Sequence, residues 1–337
     1  MLVRSAMKRR DRLAAVPPFD PGAGRGRAAK RFLSVLDFDH ETLTACLDLA
    51  LRLKAARAAG VPHERPLEGK HVALLFEKPS LRTRSTFQIA VREMGGDVIE
   101  PPSDVALGGR ETIADVARNL ERWVSTAVVR TYAQARLEEF AAAAPRLRVV
   151  NALTNEEHPC QALADCLTLL EAWGTLRGRT IAFVGDGNNV ATSLAQAATM
   201  LGACVRVASP AGFELPEHVR ESVARVAHSG GALEITTDAE MAVRGADAVY
   251  TDVWTSMGQE DEAAGRLAVF GPYQVNAALM KHARPEALFM HCLPAHRGEE
   301  VTDAVIDGPQ SVVWDEAENR LHAQKGVLAW CLGTGTA

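Results

Sequence analysis

Short apolar runs alternate with amphipathic stretches along most of the chain. Val72-Ala73-Leu74-Leu75-Phe76 is a continuous apolar run of the kind expected of a buried strand. Phe87, Ile89, Ala90, Val91 and Met94 then recur at helical spacing until Gly95-Gly96 stops them. The same alternation predicts further strands at 97–100, 126–131, 147–151, 180–184, 205–208, 233–236, 248–253 and 288–291. Helices are expected from Leu43 to Leu53, ending near Gly60-Val61-Pro62, and over 111–120, 158–173, after Gly187, and over 321–332. Pro159 suits the first turn of its helix, where a missing N–H costs nothing. Strands and helices in this order predict an α/β chain with two doubly wound, parallel-sheet domains, and the 158–173 helix is placed to bridge them. No internal repeat of fixed period is evident.

Composition adds limits. A chain of 337 residues can hold two domains, each with its own core. Hydrophobic content of 47% and charged content of 23% are those of an ordinary globular protein. A formal charge of -5 gives no global nucleic-acid footprint, and no apolar run has the length of a membrane span. Six cysteines without a C-x-x-C pair or zinc spacing argue for reduced, cytosolic thiols rather than a disulfide frame or a zinc site. Residues 1–30 are basic and broken by Pro17-Pro18 and three glycines, and are expected to be a disordered arm; an organelle transit peptide or a mis-assigned start is the alternative.

Candidate chemistry collects where strands end, which is where open α/β sheets bind ligands. Glu77-Lys78-Pro79-Ser80-Leu81-Arg82-Thr83-Arg84-Ser85-Thr86 joins the first strand to its helix. A helix N-terminus offers free N–H groups and a positive dipole end; Ser80 and Thr83 add hydroxyls, and Arg82 and Arg84 can grip phosphate oxygens bidentately. A capped helix with a solvated basic turn is the alternative, although arginines there oppose the dipole. The segment lacks the G-x-x-x-x-G-K-[ST] pattern of a P-loop. Gly185-Asp186-Gly187 follows a strand, but Val190 stands where a dinucleotide fingerprint needs its third glycine, so a tight turn accounts for both glycines. Asn188-Asn189 can cap the next helix or present an amide to a ligand. His158 opens a helix, where the dipole lowers its pKa, so a neutral imidazole could donate an N–H to a carbonyl. Asp252, at a strand end, could pair with an ammonium group. Cys292 is either a small buried hydrophobe or a site residue.

Five segments together carry a family resemblance. Ser80-Leu81-Arg82-Thr83-Arg84 is similar to the S-T-R-T-R phosphate loop of the aspartate and ornithine carbamoyltransferases, and His158-Pro159-Cys160-Gln161 to their H-P-x-Q motif. Gly185-Asp186-Gly187-Asn188-Asn189-Val190, Asp252-Val253-Trp254-Thr255-Ser256-Met257-Gly258 and His291-Cys292-Leu293-Pro294 resemble the ornithine branch specifically. The matches run in family order from about Phe32 to the C-terminal helix. The resemblance implies carbamoyl transfer from carbamoyl phosphate to L-ornithine in arginine metabolism, in a cytoplasmic homotrimer or a multiple of it, with no metal or organic cofactor and no nucleic-acid or membrane partner. It implies a carbamoyl phosphate domain over 31–157, an ornithine domain over 158–320, and a C-terminal helix, 321–337, packed back on the first domain. Ser80, the backbone of Leu81, Arg82 and Thr83 would hold the phosphate, and Arg130 would touch phosphate and carbonyl oxygen together. His158 would donate to the carbonyl oxygen, Gln161 would fix the carbamoyl amide, and Cys292, Leu293 and Arg320 would complete that pocket. Asn189, Asp252, Ser256 and Met257 would orient ornithine. Arg130, His158, Asp252, Cys292 and Arg320 form the implied catalytic set.

Two positions depart from the family pattern. Leu81 replaces a threonine and keeps only its backbone N–H. Ala106 stands where the family usually carries a glutamine or histidine that reaches a neighbouring subunit's carbamoyl phosphate. These departures leave open a non-catalytic phosphate-binding relative, and within the enzymes transfer to putrescine or an acylated ornithine.

Overall fold

The computed structural model of the protein describes residues 29–62, 64–103, 107, 109–255 and 263–333. Among these, nine strands form two separate parallel sheets. After α1 (His40–Ala58), the first half runs β1 (His71–Phe76), α2 (Arg82–Glu93), β2 (Asp97–Ile99), α3 (Ile113–Trp123), β3 (Thr126–Arg130), α4 (Gln134–Ala143) and β4 (Arg148–Leu153). Then α5 (Pro159–Trp173) leads into β5 (Thr180–Val184), α6 (Asn189–Met200), β6 (Cys204–Ala208), α7 (Glu217–Val226), β7 (Ala232–Thr236), α8 (Ala239–Val243), β8 (Ala248–Tyr250), α9 (Ala263–Phe270) and β9 (Leu288–Met290). Helix α10 (Val313–Leu332) ends the described chain.

The apolar runs become strands because both of their faces are covered. Val72, Leu74 and Phe76 of β1 point into one core, and Ala73 and Leu75 into another on the opposite side of the sheet. In β5, Ile181 and Phe183 face the core shared with the first half, while Ala182 and Val184 face a third cluster. Strands that face protein on both sides need no polar alternation. Side chains start several helices: Asp39 accepts from Thr42 N–H ahead of α1, and Thr112 from Asp115 N–H ahead of α3.

Helix α5 joins the two sheets and is buried from Pro159 through Leu169, as a bridging helix must be. Gly174, at φ 72°, ends it in the left-handed conformation that glycine adopts without a Cβ clash. Helix α10 packs against α5, α1 and α2, so the C-terminal helix does return to the first half of the chain. A Cβ on Gly326 would stand 2.8 Å from the Cys46 carbonyl oxygen, which shows how closely α10 and α1 approach.

Strand order places the site. The first sheet reads β2-β1-β3-β4 and the second β7-β6-β5-β8-β9. Chain direction across the sheet reverses between β1 and β3, and between β5 and β8. Open α/β sheets leave a crevice beyond the strand ends at such points. The loops after β1, β3, β5 and β8 therefore line two crevices, one per sheet.

Three expectations shift. Helix α10 starts at Val313 rather than 321, so Arg320 lies inside it and not ahead of it. Strands β8 and β9 end at Tyr250 and Met290, which moves Asp252 and His291-Cys292 into the loops beyond. Residues 1–28 of the basic arm lie outside the described residues, as do Ala106, Ser256 and Met257. No helix among the described residues is long and apolar enough to cross a membrane.

Candidate active site

The loop after β1 and the start of α2 form one wall. Leu81 is the N-cap of α2, makes no side-chain cap bond, and is 76% exposed. Its side chain turns to solvent, so only its backbone N–H is available to a ligand. Ser80 and Arg82 are half-buried beside it, and Thr83 is buried. Arg84 does not share the phosphate-gripping position expected for it: its Nε lies 2.6 Å from Glu100 Oε1, and its guanidinium sits over the Phe76 ring. A helix turns successive side chains by about 100°, so Arg82 and Arg84 cannot face the same ligand.

Arg130, the last residue of β3, and Arg320 of α10 are both buried, and each has a buried Nε without a hydrogen-bond partner. Nη2 of Arg320 donates to Thr83 Oγ1. The guanidinium groups of Arg82, Arg130 and Arg320 feel one another and the Cys292 sulfur electrostatically. Desolvation, with Arg320 adding repulsion, pulls the Arg130 pKa down to about 10. Three cations concentrated in a poorly hydrated pocket are an unsatisfied arrangement that an oxyanion would complete.

His158 is the N-cap of α5. Its backbone N–H donates to Ser193 Oγ at 2.9 Å, and Ser193 in turn donates to Glu157 Oε2 at 2.7 Å. Its Nδ1 is buried without a partner. Burial, then the Arg320 and Arg130 charges, hold the imidazole well below the usual histidine range, so it is neutral at physiological pH. One turn on, Gln161 gives its amide N–H groups to Asp165 Oδ1 at 2.8 Å and Glu316 Oε1 at 3.1 Å. Its Oε1 has no partner.

The second sheet supplies the facing wall. Asp252, beyond β8, accepts from the Asn188 amide at 2.8 Å and from the Cys292 thiol at 3.0 Å. Desolvation, then the Asp252 carboxylate, push the Cys292 thiol well above its ordinary pKa, so it is a thiol and a donor here. Asn188 caps α6 through its own Oδ1, while Asn189 donates to the Thr154 carbonyl at 2.6 Å. Leu293 occupies the left-handed region at φ 57°, and its N–H bonds His291 Nδ1 at 2.9 Å. The turn glycine Gly187 has a steric reason: a Cβ there would lie 2.5 Å from the Leu215 nitrogen.

Asp252, His291 and Cys292 also lie within 4.8 Å of one another, the spacing of a metal trio. However, His291 Nδ1 accepts from Leu293, which puts the ring proton on Nε2, 3.1 Å from Glu300 Oε1. Neither ring nitrogen has a free lone pair, and Cys292 keeps its proton, so this donor set suits hydrogen bonding.

The structure thus sets Arg82, Arg130 and Arg320 close to one another and to Cys292, with Thr83 bonded to Arg320, His158 beside Arg320 and Arg130, and Asp252 bonded to Cys292 from the second sheet. Sequence reasoning passed over Asp165, Tyr250 and Glu316, which lie beneath Gln161. Only Asp165 left a trace, four residues after Gln161 in an otherwise apolar helix.

Family models match nearly the whole described chain. Residues 30–171 match the aspartate/ornithine carbamoyltransferase carbamoyl-P binding domain, and residues 177–331 its Asp/Orn binding domain. The chain is 51% identical over 303 residues to the ornithine carbamoyltransferase of Pyrococcus abyssi, covering 89% of this chain and 95% of that one. It is 52% identical over 304 residues to that of Brucella ovis, covering 90% and 96%. The solved structure of ornithine carbamoyltransferase from Pyrococcus furiosus superposes with a TM-score of 0.87 at 49% identity, covering 91% of this chain and 98% of that one. With both halves matched in order and relatives at about half identity, the chain belongs to the aspartate/ornithine carbamoyltransferase family.

Proposed function

We propose that the protein transfers the carbamoyl group of carbamoyl phosphate to the side-chain amine of L-ornithine, giving L-citrulline and phosphate. The observation that carries this is the clustering of Arg82, Arg130 and Arg320 with a neutral His158, beside a Cys292 thiol hydrogen-bonded to Asp252. The family membership supports the reaction class, and the named relatives support ornithine as the amine.

Each residue then has a task. Ser80, the Leu81 backbone N–H, Arg82 and Thr83 hold the phosphate, helped by the N-terminus of α2. Arg130 spans phosphate and carbonyl oxygen. His158, being neutral, donates one N–H to the carbonyl oxygen and stays uncharged while negative charge develops there. Arg320 adds a further donor; one preorganised donor of this kind is worth ~3–4 kcal/mol. Gln161 accepts from the carbamoyl amide through its unpartnered Oε1, and Leu293 closes the pocket.

Ornithine binds against Asn189, Asp252, Ser256 and Met257. Its δ-amine, with an ordinary pKa near ~10, attacks only once neutral. The surrounding arginines disfavour an ammonium, and the Asp252 carboxylate, bonded to the Cys292 thiol, offers the proton a place near the amine. Attack forms the C–N bond; the C–O bond to phosphate breaks as the carbonyl re-forms, and the departing phosphate takes the remaining proton of the attacking nitrogen.

Residues 31–157 would be the carbamoyl phosphate unit and 158–320 the ornithine unit, with the C-terminal helix on the first. A cytoplasmic homotrimer working towards arginine synthesis fits the family expectation, and the relative from Pyrococcus furiosus is named anabolic. The test is citrulline formation by the purified protein from carbamoyl phosphate and ornithine, with putrescine and an acylated ornithine as rival amines. Product with a rival amine alone would reassign the substrate. No product with any amine would leave a binding protein.

A further inference from the structure

Beneath Gln161 lies a dry polar group that the reaction as described does not use. Asp165 follows one turn along α5, Tyr250 ends β8, and Glu316 lies in the first turn of α10; their exposures are 0%, 0% and 1%. The Tyr250 hydroxyl donates to Glu316 Oε1 at 3.1 Å and reaches Asp165 Oδ1 at 3.4 Å. Glu316 Oε2 accepts from the His291 N–H at 3.0 Å, one residue before Cys292.

Two carboxyl groups this close and this buried cannot both ionise. Desolvation raises both pKa values, that of Glu316 well above its ordinary value, so at least one of the two carboxyl groups keeps its proton at neutral pH. An ion-bearing pair in an apolar interior is costly to keep if its only task is to join elements.

The asymmetry of Gln161 points to a second task. Its Nε2 sits between two carboxyl oxygens, and its Oε1 is buried with no partner. Turned over, the amide would lose both N–H bonds and recover at most one bond, from a carboxyl that keeps its proton. The orientation with both N–H bonds is favoured, and in it the side chain can only accept a hydrogen bond from whatever lies above.

We propose that Asp165, Glu316 and Tyr250 are positioning residues that lock the Gln161 amide as an acceptor, so that the site selects an acyl phosphate bearing an N–H, a carbamoyl over an acetyl group. The lock rests on the functional reading above, in which Gln161 meets the carbamoyl amide. Glu316 also ties the lock to the rest of the site, because its helix carries Arg320 four residues on and its Oε2 holds the backbone ahead of Cys292.

The test uses full-length protein and the variants Asp165→Asn, Glu316→Gln and Tyr250→Phe. The new amides can turn their own NH2 towards Gln161 and release it to flip. Three quantities are compared: KM for carbamoyl phosphate, and inhibition constants for acetyl phosphate and inorganic phosphate, neither of which carries an N–H. The lock predicts that KM rises about tenfold in the two amide variants, the scale of one hydrogen bond, with both inhibition constants within about twofold of wild type. Tyr250→Phe shifts KM the same way by about threefold and keeps both carboxyl groups, so it decides the matter if an amide variant does not fold. If the three quantities worsen together, or none moves, the trio is structural and the lock is wrong. A wild type that makes no citrulline defeats the functional reading and the lock with it; an active wild type with unmoved ratios in all variants defeats the lock alone.

Discussion

The guanidinium of Arg320 donates to the hydroxyl of Thr83, which ties the C-terminal helix to the first turn of α2 across 237 residues of chain. The contact leaves Arg320 Nε buried and unpartnered, so the residue is both anchored and incompletely satisfied. A buried arginine in that state is poised for an anionic ligand.

Arg320→Ala removes the anchor and one donor. The expected loss in kcat/KM for carbamoyl phosphate is about 10²–10³-fold. Arg320→Lys keeps the charge but not the fork, and should recover only part of it. Initial-rate kinetics decide; a loss below tenfold would mean that Arg320 is only a tether between helices.

His158 is held neutral by burial and by the Arg320 and Arg130 charges. Its charge therefore does not change between pH 6 and 9, and the rise of rate with pH in that range belongs to the substrate amine, which deprotonates near ~10. His158→Gln keeps an N–H and should retain more kcat than His158→Ala, whose loss is expected at about 10²-fold. A pH–rate profile with an acid limb at the ordinary histidine pKa would contradict this assignment.

Cys292 keeps its proton because desolvation and Asp252 raise its pKa well above the ordinary thiol value. Alkylation of the free enzyme by iodoacetamide at this residue should be slow at pH 7 and still climbing at pH 9. Asp252→Asn removes the nearest negative charge, so the labelling curve should move to lower pH. Rapid labelling of Cys292 at pH 7 in the wild type would show a thiolate and rule out its role as a donor to Asp252.

Asp165 supplies a stability signature. Its folded pKa, about 7, lies above its ordinary value of 3.8, so the folded state binds more protons than the unfolded state in between. Stability then falls as pH rises through that window: the favourable contribution is complete below pH ~4 and gone above ~7. Asp165→Asn leaves Glu316 as the sole member of the pair to titrate, so its stability relative to wild type should improve as pH rises through the window. Urea unfolding at several pH values measures this; parallel curves for the two proteins would refute the raised pKa.

Gly187→Ala would bring a Cβ to 2.5 Å from the Leu215 nitrogen, against backbone that cannot swing away. A cost of about 1–3 kcal/mol is expected, since overpacking forces the backbone to shift. An unchanged denaturation midpoint would mean that the loop after β5 has room to give.

The alternation of apolar runs and amphipathic stretches determined both sheets. A strand covered on both faces, such as Val72–Phe76, needs an unbroken apolar run, and that requirement is local. The helix starts were legible for the same reason, because caps and first-turn prolines act within four residues. Residue type and strand-end placement marked Arg82, Arg130, His158, Asp252 and Cys292 as candidates, and the family resemblance gave them their roles. Tertiary structure alone decided the partners. Arg82 and Arg84 look equivalent in a row of letters, yet the turn of α2 sends Arg84 to Glu100. Glu316 reads as a helix-surface charge until α10 folds back over α5 and buries it against Gln161, Tyr250 and His291. Glu316 meets His291 from 25 residues away, Tyr250 from 66 and Gln161 from 155, and no local spacing rule reaches that far. They exist only because packing brings the two switch-point crevices and the returning helix together, and there desolvation, which the sequence does not display, sets which groups carry charge.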